Sequence, residues 1–278
     1  MELKRLGIRR RGFEQMSQKL YLDFCYERVF GDKNTLDWLV AKNLILSGKV
    51  VEGLLNNDMK VVIKIGTDKG RIDKEYDISK QLSVFHGFVR YICKFSCKDD
   101  LRKYSGNWTP DVGFCDLNGP DKTNSIIMPY YPLGSMLKYK WTRDTFDTFK
   151  KLLKSVVEAY LVANEELGFV HNDFHLDNLL LKESKYSTFD LKVDIIDFEL
   201  SEINEKYKKD KIKIGRDFKK IFTDLLNLDF VTADSIAPCL IFADKMRDPF
   251  ETVHTADVFK LIDDLKFVNY DYVESKRK

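Results

Sequence analysis

The sequence predicts an α+β fold in two parts: a strand-rich first part with one inserted helix, and a mainly helical second part with a short β-ribbon. Three observations predict it. Between Asn43 and Gly66 the runs NLILSGKVVEGLL and MKVVIKIG are rich in β-branched residues and alternate with polar ones. From Thr142 to Leu167 (TRDTFDTFKKLLKSVVEAYLVANEEL) the apolar residues recur at helical spacing. Only two β-like islands, Asn178–Lys182 (NLLLK) and Lys192–Phe198 (KVDIIDF), interrupt the helical second half.

The elements follow in order. Residues 13–41 carry Phe24, Val29, Leu36 and Val40 among charges, and predict a basic helical extension over residues 1–41. The two β-rich runs are separated by Asn56-Asn57-Asp58, a hairpin signal. Arg71–Phe85 returns to helical spacing through Ile72, Tyr76, Ile78 and Leu82. Residues 88–97 read as a strand, and Lys103–Asn124, punctuated by Gly and Pro, as a polar connection around a short strand. Ser125–Tyr130 is a short buried strand that stops at Pro129, and Pro132-Leu133-Gly134 is the turn between the two parts. The divisions are 1–41, 42–131 and 132–278.

At 278 residues and 44% hydrophobic, the chain can fill one large domain or two lobes with substantial cores. A net charge of +2, from 46 basic and 44 acidic residues, excludes a polyanion binder over the whole surface. The charge is uneven, however: Lys4–Phe13 (KRLGIRRRGF) holds five basic residues and no acid, and the chain ends Ser-Lys-Arg-Lys. Such clusters contact nucleic acid, acidic protein or anionic lipid, or serve nuclear import; solvated ends are the plainer reading. The five cysteines (25, 93, 97, 115, 239) are odd in number and, with His86, His171, His175 and His254, give no zinc-ligand spacing. They read as reduced thiols of the cytoplasm or nucleus. No apolar stretch approaches the roughly 18 residues needed to cross a membrane, and no signal-peptide core opens the chain, so the expectation is a soluble intracellular protein. The Lys-, Asn-, Tyr- and Phe-rich, Pro-poor composition is that of an AT-rich genome, as in a virus, a parasite or an intracellular bacterium.

The residues that suggest chemistry lie in the second half. In HNDFHLDN, Asp173 and Asn178 bracket a short loop, and Asp197 follows the apolar run VDII. An Asn at the start of one ribbon strand and an Asp at the end of the other come to the same rim. Carboxylate plus amide oxygen is hard-ligand chemistry suited to Mg²⁺, with phosphate oxygens filling the remaining positions. Asp173, outside that pair, can accept a proton from an attacking hydroxyl. A capped ribbon without chemistry is the structural alternative, but nothing in ribbon architecture requires this spacing. In the first half Lys64 sits inside VVIKI, and Glu75 lies eleven residues on in the next helix, a natural ion-pair partner. Alone, a lysine on the solvated face of the strand explains Lys64 as well.

These residues resemble a family. HNDFHLDN followed by IIDFE is similar to the catalytic loop (His-x-Asp-x-x-x-x-Asn) and the metal-binding Asp-Phe-Gly element of the protein-kinase-like superfamily. VVIKI resembles its phosphate-binding lysine strand, Glu75 the partner on helix C, and IIMPYYPLGSM its hinge. The likeness covers residues 42–230 in the right order. It implies a bilobal fold, with a strand-rich N-lobe containing helix C and a reduced helical C-lobe. It also implies phosphoryl transfer from ATP held with Mg²⁺ between the lobes. Lys64 would hold the phosphates, fixed by Glu75. Gly48, Val50, Met128, Tyr130 and Tyr131 would line the nucleotide site, and Asn178 and Asp197 would hold the metal. Asp173 would orient the acceptor hydroxyl, with His171 and His175 supporting it. Asp217 would be a buried helical acid bonded to the loop backbone; an ordinary acid at a helix N-terminus is its plain alternative.

The departures are informative. Only Gly48 matches the three glycines expected over the phosphates, Asn43 and Ile45 standing at the other two places. Glu199 replaces the Gly of Asp-Phe-Gly, and His175 stands where Ser/Thr kinases carry a Lys. The short interval from Glu199 to Asp217, without Ala-Pro-Glu, leaves no room for an ordinary activation segment. These features resemble haspin-type protein kinases, and the expected activity is an atypical Ser/Thr protein kinase with a protein substrate. The same motifs are similar to choline and aminoglycoside kinases, so a small-molecule kinase is the alternative. The eroded glycine loop also admits a non-catalytic scaffold.

Overall fold

Period-two alternation in the first part produces the expected sheet. The computed structural model describes residues 39–46, 50–55, 59–66, 68–97, 123–184 and 187–268. The chain is a mixed α and β protein with small antiparallel sheets, and it divides into two units, Met1–Tyr130 and Tyr131–Lys278.

In the first unit, strands β1 (Leu39–Leu46), β2 (Val50–Leu55), β3 (Met59–Gly66), β4 (Cys93–Cys97) and β5 (Thr123–Pro129) form one antiparallel sheet in the order β1-β2-β3-β5-β4. Along β3, Val61, Ile63 and Ile65 are buried, while Val62, Lys64 and Gly66 take the opposite, half-buried face. Helix α1 (Lys69–Leu82) starts at Asp68, whose carboxylate accepts the Arg71 N–H at 3.2 Å. It buries Ile72, Glu75, Ile78, Ser79 and Leu82. That stripe differs from the expected one in two places: Glu75, not Tyr76, points inward, and Ser79 joins it.

Two expectations need amendment, and others lie outside the described residues. The predicted helix over 13–41 falls mostly outside the described residues, and Leu39–Ala41 already belongs to strand β1. The strand expected over 88–97 shortens to Cys93–Cys97, because the preceding segment is tied to the helix instead. Ser79 Oγ donates to Val89 O at 2.9 Å and accepts from Tyr91 N at 3.3 Å. The basic N-terminus, the Ser-Lys-Arg-Lys end, Gly48 and the short strand expected within 103–124 lie outside the described residues.

The second unit is built on helix α2 (Phe146–Leu167), which buries Phe149, Leu153, Val156, Val157 and Tyr160 completely. Its expected first turn is lost to a local bend, where Thr145 Oγ1 accepts Thr142 N–H at 2.8 Å. After α2 come β6 (Phe169–Val170), β7 (Leu179–Ser184), β8 (Ser187–Ile195) and β9 (Glu202–Ile203). Strands β7 and β8 form the expected ribbon, Leu179 opposite Ile195 and Leu181 opposite Val193. The two-residue strands β6 and β9, unexpected from the sequence, pair Phe169 with Ile203 and Val170 with Glu202. Helices α3 (Lys211–Leu225), α4 (Ala233–Arg247) and α5 (Asp257–Asp263) complete the unit. Cys239 on α4 is a buried thiol pushed up to about 12 by that burial, hence inert. No described helix is long and apolar enough to cross a membrane.

Gly168 makes the β6–β9 pairing possible. It ends α2 in the left-handed region at φ 66°, and a Cβ there would lie 1.9 Å from Asn204 O. Gly168→Ala is therefore expected to destabilise the protein by more than about 1 kcal/mol, read as a lowered midpoint in urea unfolding. An unchanged midpoint would contradict this packing.

Candidate functional site

The loop from His171 to Asn178 is fixed by one buried carboxylate. Asp217, in the middle of α3 and 1% exposed, accepts at a single oxygen, Oδ2, from His171 N (2.9 Å), Asn172 N (3.2 Å) and the Tyr160 hydroxyl (2.7 Å). It is not an acid at a helix N-terminus. Burial pushes its carboxyl above the ordinary range, opposed by these three donors. The bonds hold Asn172 in the left-handed region at φ 62°, a conformation an Asn tolerates better than most residues. Asn172 Nδ2 in turn donates to Leu200 O at 2.9 Å.

His171 is fully buried, and burial drives its pKa down, so the ring is neutral at pH 7. Its contacts assign the tautomer. Nδ1 accepts Asp173 N–H at 3.3 Å, and Nε2 donates to Ile196 O at 2.9 Å. The ring thus ties the loop to the segment that carries Asp197. Rings of Tyr160, Phe169, Phe174 and Phe198 pack around it, with His171 lying 5.7 Å from Phe174 and 5.9 Å from Phe198.

Helix α3 meets the loop along one stripe. Residues 217, 220 and 224 are spaced three and four apart, so they share a face. Asp217 takes the two backbone amides. Lys220 donates to Asp173 Oδ1 at 2.9 Å and to Asn172 O, and Asp224 accepts Leu176 N–H at 2.7 Å. Asp173 Oδ2 lies 3.3 Å from His175 Nε2. Partial burial pushes the Asp173 carboxyl up, but the hydrogen bond and charge of Lys220 outweigh it, leaving the carboxyl below its ordinary value. Asp173 is accordingly an oriented carboxylate rather than a strong base.

Asn178 and Asp197 are linked through the ribbon. Asn178 is buried, and its Nδ2 donates to Asp173 O at 2.9 Å and lies 3.1 Å from His175 Nε2. Its carbonyl accepts Ile196 N–H at 2.9 Å, which anchors the residue next to Asp197. Strand β8 ends at Ile195, and Asp197 follows in the left-handed region at φ 63°. Two non-glycine residues in that region, Asn172 and Asp197, flank this constellation, the kind of local strain that marks functional sites.

The first unit carries the other predicted pair. Lys64 Nζ donates to Glu75 Oε2 at 2.8 Å, with side chains 14% and 1% exposed, and Tyr91 OH donates to Glu75 Oε1 at 2.7 Å. Val50 lies directly opposite Lys64 in the β2–β3 register. Met128 is buried in β5 opposite Val62. Tyr130 is half-buried with Lys60 over its ring at 5.2 Å. In the second unit Tyr131 is buried, its hydroxyl donating to Asp194 Oδ2 at 2.6 Å. Lys182 bonds the same oxygen. Tyr131 thus anchors the start of the second unit to its ribbon.

The residues sequence reasoning missed are Tyr91, Tyr160, Lys220 and Asp194, each a partner of a predicted site residue, and Asp224, a partner of the loop backbone at Leu176. For Lys220 and Asp224 a signal existed, their three- and seven-residue spacing from Asp217. For the others none did, because their contacts depend on tertiary packing. No protein-family model matches this chain, and no curated protein is a significant match to it.

Two outcomes follow. Asp217→Ala strands two buried N–H groups and should cost about 3 kcal/mol or more in chemical denaturation, against about 1 for the isosteric Asp217→Asn; equal small losses would show the clamp is not structural. Lys220→Met removes the cation from Asp173, where burial, His175 and His171 remain. The Asp173 carboxyl should then titrate at higher pH in carboxyl-detected NMR, and an unshifted titration would contradict the contact.

Proposed function

We propose that this protein is an ATP-dependent phosphotransferase with a bilobal protein-kinase-like fold, which transfers phosphate to a Ser or Thr hydroxyl of a protein. The observation that carries this reading is the His171–Asn178 loop. It holds a carboxylate oriented by a cation, beside an amide whose nitrogen is committed to the loop backbone.

The donor set fits Mg²⁺. With its Nδ2 bonded to Asp173 O, Asn178 offers a cation its amide oxygen, and Asp197 offers a carboxylate; both are hard oxygen donors. Mg²⁺ bound by these two residues would supply charge neutralisation at the phosphate oxygens. The bond to Glu75 fixes the direction of Lys64, whose ammonium would meet the α- and β-phosphates. Val50 and Met128 offer apolar surface to the adenine.

The chemistry then requires little of the protein beyond position and charge. The acceptor oxygen bonds to the γ-phosphorus as the bond from that phosphorus to the β–γ bridging oxygen breaks. ADP leaves with that electron pair, and the hydroxyl proton passes to Asp173. Oδ1 is bonded by Lys220 at 2.9 Å and Oδ2 lies farther, 3.3 Å, from His175 Nε2, so Oδ2 is the oxygen that meets the hydroxyl. A carboxyl held below its ordinary value stays ionised throughout the neutral range. It therefore aligns the hydroxyl and takes its proton late, as the new bond forms. Retention of Lys64, Glu75, Asp173, Asn178 and Asp197 together argues against a non-catalytic scaffold, which has no use for all five.

The test is Mg²⁺-dependent transfer of labelled γ-phosphate to a protein mixture, to choline and to aminoglycosides. Asp173→Asn serves as the control. Label should enter protein, and the control should lower the rate by about a hundredfold or more. Transfer only to a small molecule would replace the protein acceptor with a small one. Absence of transfer to any acceptor would overturn the reading.

A further inference from the structure

The segment from Glu202 to Lys220 is strongly basic, with Lys206, Lys208, Lys209, Lys211, Lys213, Arg216, Lys219 and Lys220 against Glu202, Glu205, Asp210 and Asp217. Part of that charge is answered within the chain. Lys208 pairs with Glu205 at 2.6 Å, Lys209 with Glu165 at 2.9 Å, Lys219 with Asp244 at 2.6 Å, and Lys220 with Asp173 at 2.9 Å. Among the acids, Glu202 accepts from Asn172 Nδ2 at 3.3 Å, Asp210 caps α3 at the Ile212 and Lys213 amides, and Asp217 is buried under the loop. Lys206, Lys211, Lys213 and Arg216 meet no carboxylate among the described residues.

Two features make this more than an ordinary solvated face. Lys206 and Lys213 converge on one ring, their ammonium groups 4.8 and 4.5 Å from the centroid of Tyr207. Each ammonium is held there by the negative face of the ring. Lys211 and Lys213 also occupy the first turn of α3, the positive end of the helix, faced by the single N-capping carboxylate of Asp210. Placing cations there opposes the helix dipole. Cations outnumber carboxylates along this segment, and the arrangement favours a negatively charged partner.

Geometry connects this charge to the loop. Lys213 and Lys220 lie seven residues apart on α3, nearly the same face, and about 10 Å apart along the axis. Lys220 bonds Asp173; Arg216, exposed, sits between them on the shoulder of that stripe. An extended peptide covers about 10 Å in three residues.

We propose that Lys206, Lys213 and Arg216 form a docking track for an acidic segment of the phosphoacceptor, engaging carboxylates about three residues from the hydroxyl at Asp173. This rests on the phosphotransferase reading and specifies its substrate class. A basic acceptor, such as a histone tail, is disfavoured by the same charges.

The test uses the full chain with Mg²⁺ and ATP and three peptides sharing one Ser acceptor, flanked three residues away on each side by Glu, Ala or Lys. Two ion pairs of about 0.5–1 kcal/mol each give the Glu peptide roughly a tenfold advantage in kcat/KM over the Ala peptide, falling with salt. Lys206→Glu combined with Lys213→Glu and Arg216→Glu should reverse the order and favour the Lys peptide. Should that variant fail to fold by circular dichroism, Arg216→Glu alone should narrow the preference. Equal rates for all three peptides with the unaltered chain overturn the track and leave the phosphotransferase reading standing. So does a preference that survives charge reversal. Tight binding of a single-stranded oligonucleotide without any peptide preference would make the track a nucleic-acid surface, against the proposal. Failure to transfer phosphate to any acceptor would overturn both.

Discussion

A single carboxylate oxygen, Asp217 Oδ2, holds the turn on which the second unit depends. It takes both amides of the His171-Asn172 step and the hydroxyl of Tyr160, the fully buried tyrosine of α2. Those bonds place Asn172 in the left-handed region and thereby set the direction in which Asp173 leaves the turn. His171 then passes the constraint across to Ile196, and Asn178 passes it back through the same residue. Remove the carboxylate, and the loop loses its internal acceptors in a region too buried for water to replace them.

The first unit repeats the device on a smaller scale. Glu75 occupies the buried stripe of α1, where an apolar residue would pack more cheaply, and its two oxygens are taken by Lys64 and Tyr91. In both units a buried acid on a helix fixes a polar group on a neighbouring element. Burying such an acid is unfavourable, and pairing it with hydrogen-bonded partners offsets rather than exceeds that cost. Stability alone therefore does not account for either one. Orientation does: Glu75 fixes the Lys64 side chain, and Asp217 fixes the His171-Asn172 backbone from which Asp173 leaves the turn.

Much of this was legible in the sequence, and the rest was not for identifiable reasons. The β7–β8 ribbon was visible because apolar runs bounded by polar residues survive any context, and Lys64 was visible because it interrupts an alternating strand. Asp217 and its burial were legible through the resemblance alone, since nothing local separates a buried helical Asp from an exposed one. Glu75 was expected as a partner of Lys64, yet the apolar pattern pointed to Tyr76 as the inward residue of that turn. Strands β6 and β9 escaped notice because a two-residue strand carries no period. They depend instead on Gly168, whose lack of a side chain lets Asn204 approach. Lys220 becomes legible only through its three-residue spacing from Asp217, since a lysine on a helix surface ordinarily signals nothing beyond solubility.

The most direct test of this account is native-state amide hydrogen exchange at His171 and Asn172, compared between the unaltered chain and Asp217→Asn. If one buried carboxylate organises the loop, both amides exchange as slowly as the core of α2 in the unaltered chain and at least about tenfold faster in the variant, a loss of about 1.4 kcal/mol of protection. Fast exchange at these two amides in the unaltered chain, or rates that the substitution leaves unmoved, would contradict it.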